Sequence, residues 1–254
     1  MNIFVFMISV VIIGYGKVAF HLTNVFRNSD TIIVKQVYSR SMSKIEHLRK
    51  NINITNDITK LVDADVYIIA VSDDAIAEVS SKITNTKALI VHTSGTFDLK
   101  GLQTKNRKGV FYPLQSFSIE KAVDFNEVPF CLETEYQKDF LLLETLALSI
   151  SKKVYQIDSQ QRQYLHVAAV FVNNFSNHMF SIGNDICKVY NVPFERLHPL
   201  IKETATKVEK LAPKNAQTGP AIRNDQKTMK KHLKLLTEPQ QIIYNLISKS
   251  IQNG

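Results

Sequence analysis

The sequence predicts an α/β fold: a Rossmann-type doubly wound parallel sheet followed by an all-α C-terminal domain. Three observations carry that expectation. An apolar, β-branched run ending at Ile13 stops at Gly14-Tyr15-Gly16-Lys17-Val18-Ala19, and residues with helical apolar spacing (Val18, Leu22, Val25, Phe26) follow. Strand-like and helix-like segments then alternate over about 150 residues, the order of parallel strands joined by crossover helices. Beyond residue 155 the strand pattern fades and helical periodicity takes over.

The first unit has the form of a dinucleotide-binding turn. Gly14 permits a sharp strand-to-helix turn, Gly16 has no Cβ to keep a phosphate off the backbone, and Ala19 lets the helix pack close to the strand. The free N–H groups and the positive end of the helix dipole then face the anion. Gly14, Tyr15, Gly16, Lys17, Val18 and Ala19 are therefore candidate cofactor-binding residues. The apolar start of the chain lacks the basic beginning and small-residue cleavage site of a signal peptide, and it is too short to span a bilayer. A buried first strand accounts for it. Met7 directly precedes that strand, so residues 1–6 read as an extension, with Met1 or Met7 as the start.

The remaining elements follow in order. Residues 31–38 read as a second strand, 41–50 as a helix and 57–62 as a short helical piece. Residues 65–71 form a continuous apolar strand, as expected where both faces of a sheet are covered. A helix over 74–83, strands at 88–92, 109–112 and 128–132, and a helix over 137–149 complete the alternation. Helical segments then occupy roughly 159–190, 194–211 and 225–235, with a last one after Pro239. The expected domains are a nucleotide-binding domain over 1–155 and a helical substrate and dimerisation domain over 156–254.

Composition narrows the function classes. The chain carries a net charge of +8. Residues 1–155 hold 18 basic against 16 acidic side chains, and residues 156–254 hold 13 against 7. That asymmetry fits an anionic ligand or plain solubility. The only dense basic stretch, residues 227–234, has no interleaved aromatics, so no nucleic-acid partner is expected. Cys131 and Cys187 are too few and too far apart for a disulfide framework, and no His, Cys or carboxylate group has metal-ligand spacing. A cytoplasmic protein with no bound metal and no membrane span is the expectation.

The nucleotide is expected to be NADP in preference to NAD. An NAD site places a carboxylate on the ribose about 20 residues beyond the glycines. Here the second strand ends in Tyr38-Ser39-Arg40-Ser41, with no carboxylate. Ser39, Arg40 and Ser41 suit a 2′-phosphate, because a guanidinium forks onto phosphate oxygens; a surface arginine in a turn is the plainer reading. Asp73-Asp74 and His92-Thr93-Ser94-Gly95 stand at carboxyl ends of strands, where ligands gather in this architecture. Asp74 reads equally as a helix cap, and His92 equally as a hydrogen-bonded turn residue.

Residues 163–184 contain no charged side chain. Leu165, Ala168, Val172, Phe175, Met179, Ile182 and Ile186 follow helical spacing, while His166, Asn173, Asn177 and Asn184 share the opposite stripe at about 100° per residue. Asn174 and His178 form an i, i+4 pair beside it. A solvent face would carry Lys and Glu, so the expectation is a central helix with one stripe in the core and the other on a cleft, or a buried polar network. Further on, residues 217–225 surround a Gly-Pro turn with Arg223 and Asp225; Arg223 suits an anionic substrate, and Asp225 suits a helix cap.

These motifs together resemble a known family. They are residues 11–19, Ala70-Val71-Ser72-Asp73-Asp74-Ala75-Ile76, His92-Thr93-Ser94-Gly95, Tyr112-Pro113-Leu114-Gln115-Ser116-Phe117, Asn173-Asn174-Phe175-Ser176-Asn177-His178, and Thr218-Gly219-Pro220 with Arg223 and Asp225. The chain resembles, over nearly its whole length, the Rossmann-like proteins whose C-terminal half is domain of unknown function 2520 (DUF2520). Wider relatives are pyrroline-5-carboxylate reductase, the F420-dependent NADP oxidoreductases and the 6-phosphogluconate and 3-hydroxyacid dehydrogenases. The resemblance implies an NADP-binding domain followed by a helical domain, in a homodimer through the helical domain with the site between domains; it does not name the substrate, and a small, anionic one is expected from Arg223. Val71, Ser72, Asp73, His92, Thr93 and Ser94 join the candidate cofactor residues, and Gln115, Ser116, Asn173, Asn177, Thr218 and Arg223 are the candidate substrate contacts.

One departure bears on mechanism. The 3-hydroxyacid dehydrogenases carry a catalytic Lys with an Asn four residues later, and residues 170–174 here contain no Lys. There is also no Tyr-x-x-x-Lys pair. His178 and His166 are then the candidate proton donors, with Asn174 orienting. The expected function is hydride transfer between NADP and a small carbonyl or imine; the alternative is an NADP-binding sensor or scaffold without turnover.

Overall fold

The computed structural model describes residues 7–83 and 87–254; the reading of residues 1–6 as an extension lies outside them. The strands are β1 (Ile8–Ile13), β2 (Ile32–Tyr38), β3 (Asn53–Thr55), β4 (Val66–Ile69), β5 (Leu89–His92), β6 (Arg107–Pro113), β7 (Phe130–Thr134) and β8 (Val154–Gln156). They form one sheet in the order β3-β2-β1-β4-β5-β6-β7-β8. All neighbours pair parallel except β6 and β7. The chain moves outward from β1 to β3, then returns to start β4 on the other side of β1. That reversal opens a crevice beyond the carboxyl ends of β1 and β4.

Helices α1 (Lys17–Arg27), α2 (Met42–Ile45), α3 (Asp73–Ser81) and α4 (Gln137–Leu148) connect these strands. The first strand shows why it reads as an unbroken apolar run. Val10 and Ile12 pack with Leu22 and Phe26 of α1 in one core, whereas Val11 and Ile13 pack with Ile76 of α3 in the other. Both faces of the sheet are covered, and the one polar residue of β1, Ser9, is buried with its N–H and hydroxyl donating to the Asp65 carboxylate. Each such Ile or Leu contributes about 1.5–3 kcal/mol by leaving water.

The helical part comprises α5 (Ser159–Ala169), α6 (Ser176–Val189), α7 (His198–Lys207), α8 (Pro213–Ala216), α9 (Gln226–Leu233) and α10 (Glu238–Asn253). Compact packing divides the chain between Val170 and Phe171. Residues 156–170, expected with the helical domain, group with the sheet. Arg162 is the reason. Its guanidinium is 0% exposed and donates to Glu133 Oε2 (2.5 Å), the Phe97 carbonyl (2.6 Å) and Ser159 Oγ (3.0 Å), which fastens α5 to β7 and to the loop after β5. A box of Asp158 and Gln161 caps the start of α5.

The expected single helix over 159–190 is interrupted. Residues Val170–Phe175 form a π-helix between α5 and α6. A π turn holds more residues than an α turn, so the 100° spacing that placed His166, Asn173, Asn177 and Asn184 on one stripe does not carry across it. The apolar stripe is split as well: Leu165 packs against the sheet core, Val172 and Phe175 are 75% and 50% exposed, and Met179, Ile182 and Ile186 are half-buried. Within the second unit Ala221, Met229 and Ser248 are the buried residues among those described. Asp225 caps α9 by accepting from the Thr228 N–H (3.0 Å), and Thr237 with Gln240 caps α10. Among the described residues no helix is long and apolar enough to cross a membrane, and no group of three or more His, Cys, Asp and Glu side chains is placed to hold a metal ion.

Candidate dinucleotide site

A cavity of about 690 Å³ opens beyond the carboxyl ends of β1, β2, β4 and β5. Gly14, Tyr15, Gly16, Lys17 and Val18 form one wall, Tyr38 to Ser41 with Lys44 a second, and Ala70, Val71, Ser72 and Thr93 a third. The turn after β1 is made by Gly14, whose φ of +108° lies in the left-handed region. A Cβ there would also fall 2.3 Å from the Ala70 carbonyl oxygen, so the close pairing of β1 with β4 needs the glycine twice over. Gly16 differs. A Cβ on it would meet nothing within 4 Å, so its missing side chain serves the space in the cavity and not the packing of the chain.

Gly16 is the N-cap of α1, and no side chain caps this helix or places an acid in its first turn. The first N–H groups of any α-helix lack intrahelical partners. Here they and the positive helix end are left for an external anion. Tyr15 stands beside them, its hydroxyl 3.1 Å from His47 Nε2, which ties the turn to the segment after β2. Burial raises the Tyr15 phenol above its ordinary value. Ala19 is fully buried against the sheet, the close-packing position the motif implies.

At the end of β2, the side chains of Arg40 and Lys44 make no hydrogen bond or ion pair among the described residues, while the Lys44 N–H donates to the Ser41 carbonyl (3.3 Å). Ser41 Oγ lies 3.0 Å from Ser43 Oγ, and Ser39 Oγ accepts from the Ser41 N–H (3.3 Å). The fourth cation of the cavity, Lys82, is taken by Glu78 at 2.5 Å. That contact, helped by the Arg40 charge, holds the Glu78 carboxyl below its ordinary value. Arg40 and Lys44 are thus two cations without an ion-pair partner among the described residues, beside backbone and hydroxyl donors, chemistry suited to a phosphate.

Other sequence-nominated residues lie elsewhere. His92 is fully buried, does not line the cavity, and accepts the Ser94 N–H at Nδ1 (3.2 Å). Burial, with a smaller push from the Arg162 charge, drops it to about 3. Asp73 accepts from Ser94 Oγ (2.8 Å) and from Thr96 Oγ1, which joins the loops after β4 and β5. Of the 92–94 stretch only Thr93 reaches the cavity. Gln115 and Ser116 follow β6, with Gln115 Oε1 accepting the Ser116 N–H (2.8 Å). His166 belongs to the first unit, and its Nδ1 lies 3.2 Å from the Tyr112 hydroxyl. Asn173, Asn174, Asn177 and His178 belong to the second unit, are exposed, and make no side-chain hydrogen bond among the described residues. Thr218 lines a separate, apolar cavity of about 630 Å³ in that unit, with the His232–Tyr244 pair (2.9 Å) in its wall. Arg223 is exposed, and its charge adds to the Thr228 hydrogen bonds that hold the Asp225 carboxyl low.

Sequence reasoning missed Lys44, which lies three residues beyond Ser41 on α2, and Tyr112, which stands near the carboxyl end of β6. Strand-end position was the available signal for Tyr112. Nothing local marked Lys44, because α2 is a single turn.

Comparison with known proteins agrees with this architecture. The family model described as NADP oxidoreductase, coenzyme F420-dependent, matches residues 9–94, and that of domain of unknown function 2520 matches residues 128–251. A Bacteroides fragilis protein provisionally named an NADP oxidoreductase is 38% identical; the match covers 98% of this chain and 100% of that one, with a TM-score of 0.89. A Thermotoga maritima protein is 22% identical over 96% of this chain and 97% of its own, with a TM-score of 0.73. An imine reductase from Myxococcus stipitatus, solved in complex with NADP+, shares the fold at 14% identity and a TM-score of 0.63, covering 96% of this chain and 92% of its own. No curated protein matches the sequence. With 38% identity over essentially its whole length and both family models in order, the chain belongs to the NADP oxidoreductase family of Rossmann-type proteins that end in domain of unknown function 2520.

Proposed function

We propose that this protein is an NADP-dependent oxidoreductase that transfers a hydride to or from a small carbonyl or imine substrate. One observation carries the reading: an uncapped helix start faces the same cavity as the unpaired Arg40 and Lys44. The residues fit the cofactor. The N–H groups opening α1 would hold the diphosphate, with Gly16 leaving room for it. Ser39, Arg40, Ser41 and Lys44 would hold the 2′-phosphate, and Val71, Ser72 and Thr93 the nicotinamide side. When bound, NADPH would supply one hydrogen and two electrons as hydride to the carbonyl or imine carbon, and the attached oxygen or nitrogen would take up one proton from solvent.

His166 is the imidazole we assign to meet that oxygen or nitrogen. It stands on the sheet side of the chain, opposite Gly95, two residues beyond Thr93. His178 with Asn174 is the second candidate. Asn173, Asn177, Thr218 and Arg223 remain proposed substrate contacts, as do Gln115 and Ser116, and Arg223 gives the reason to expect an anionic substrate. The exposed apolar side chains Val167, Phe171, Val172 and Phe175 support a second copy of the chain covering this helix; sedimentation should then report a dimer. A cytoplasmic location is part of the same reading.

The test is a titration with NADPH and NADH of wild type and Arg40→Ala, followed by NADPH oxidation across a carbonyl and imine panel. The absence of a Lys at residues 170–174 favours one other reading, a nucleotide-binding sensor. Tight NADPH binding with no oxidation of any panel member would select it.

A further inference from the structure

The loop after β5, the end of β6 and the second turn of α5 bring three residues to one point. A Cβ on Gly95 would fall 2.5 Å from His166 Nδ1 and 2.9 Å from Tyr112 Cζ. The glycine is therefore what allows the tyrosine and the histidine to meet. Arg162, one turn before His166 and fully buried in its hydrogen bonds to Glu133 and the Phe97 carbonyl, fixes the height of α5 against the sheet. The contact that results is the 3.2 Å pair between the Tyr112 hydroxyl and His166 Nδ1.

Which atom owns the hydrogen follows from what surrounds each. Tyr112 is buried, and its hydroxyl has no other partner among the described residues. A buried hydroxyl hydrogen without an acceptor is costly. Among the described residues the acceptor it reaches is the Nδ1 lone pair. If Nδ1 carried hydrogen, as in the other tautomer, the hydroxyl oxygen would accept from it and the hydroxyl's own hydrogen would be left with no acceptor among the described residues. Burial also pushes the phenol up to about 12, so at neutral pH the hydroxyl keeps its hydrogen. His166 Nε2 makes no hydrogen bond among the described residues.

We propose that Tyr112 is a positioning residue for His166: its hydroxyl donates to Nδ1 and keeps the proton of the neutral imidazole on Nε2. On the reductase reading, which this last step uses, Nε2–H is a fixed donor aimed at the substrate. A neutral imidazole N–H stabilises charge developing on an oxygen as hydride arrives. Such a donor selects a carbonyl oxygen, or the lone pair of a neutral imine, over a protonated iminium, whose N–H would oppose it.

The tautomer is read directly by two-bond 1H–15N correlation of the histidine side chains at neutral pH, without cofactor, with His166→Gln identifying the His166 signals. The expected result is a hydrogen-bearing Nε2 and a bare Nδ1, favoured by about fivefold or more, since an unmet buried donor costs at least that factor. Tyr112→Phe should move both signals toward a mixed tautomer while the melting temperature stays close to wild type. A wild-type spectrum with hydrogen on Nδ1 would overturn the proposal, as would signals unmoved in Tyr112→Phe. If Tyr112→Phe does not fold, the wild-type spectrum decides alone. Because no nucleotide is present, this outcome is separate from any failure of NADPH to bind.

Discussion

The guanidinium of Arg162, wholly shut off from solvent, lies 2.5 Å from the carboxylate of Glu133, and the two join the first turn of α5 to β7. Removing one member of a buried pair leaves the other charge without compensation, at about 3–5 kcal/mol. Glu133→Ala should therefore lower unfolding free energy by about that amount in urea denaturation. The double change Arg162→Met with Glu133→Leu should cost less than either single change, because no charge is left buried.

The two glycines of the first turn should separate stability from binding. Gly14→Ala meets both a left-handed backbone and the Ala70 carbonyl, so it should lose about 2 kcal/mol or more of stability. Gly16→Ala fills only the cavity. Its melting temperature should match wild type while NADPH affinity falls about tenfold, near 1.4 kcal/mol. Thermal unfolding and calorimetric titration of both variants check the contrast.

His92 should make the protein acid-sensitive. Burial holds its folded-state value at about 3, against an ordinary value of 6.5. The unfolded chain therefore binds a proton, as pH falls through 6.5, that the folded chain refuses. The contribution is present in full above that value and is lost progressively between pH 6.5 and 3. At pH 5 the loss from this one residue is about 2 kcal/mol. Denaturant unfolding at pH 7.5 and pH 5 should show it in wild type and should show a smaller pH dependence in His92→Gln.

Arg40 and Lys44 should decide the nucleotide. Each is expected to contribute about tenfold to the preference for NADPH over NADH, about 1.4 kcal/mol. Arg40→Ala and Lys44→Ala should weaken NADPH binding by that factor and leave NADH binding nearly unchanged. Comparable losses for both nucleotides would mean that neither side chain touches the 2′-phosphate.

The sheet was legible because its signals are local. An apolar run before Gly-x-Gly, a turn and a helix leave little choice of structure, and strands covered on both faces read as continuous Val and Ile. The short strands β3 and β8 were not legible: three residues do not establish a period. The cavity beyond β1 and β2 was readable from the glycines of the first turn and from the Arg40 turn, which line it. The site beyond it was less so, because its residues meet only in three dimensions. His92 has the look of a strand-end ligand, yet it points into the core, and its neighbour Thr93 faces the cavity. Tyr112 heads one of the motifs, yet nothing in the sequence gave it a role, because its contact with His166 depends on Gly95 and Arg162 from two other elements. The helix over 163–184 misled for a different reason: its apolar side chains imply a core, and the single chain leaves Val172 and Phe175 exposed at a π-helix.

A calorimetric titration of the purified protein with NADPH, beside the same titration with NADH, tests the central claim most directly. Saturable binding of one nucleotide per chain, tighter for NADPH by at least about tenfold and weakened in Gly16→Ala, is the predicted result. No heat from either nucleotide at millimolar concentration would contradict it.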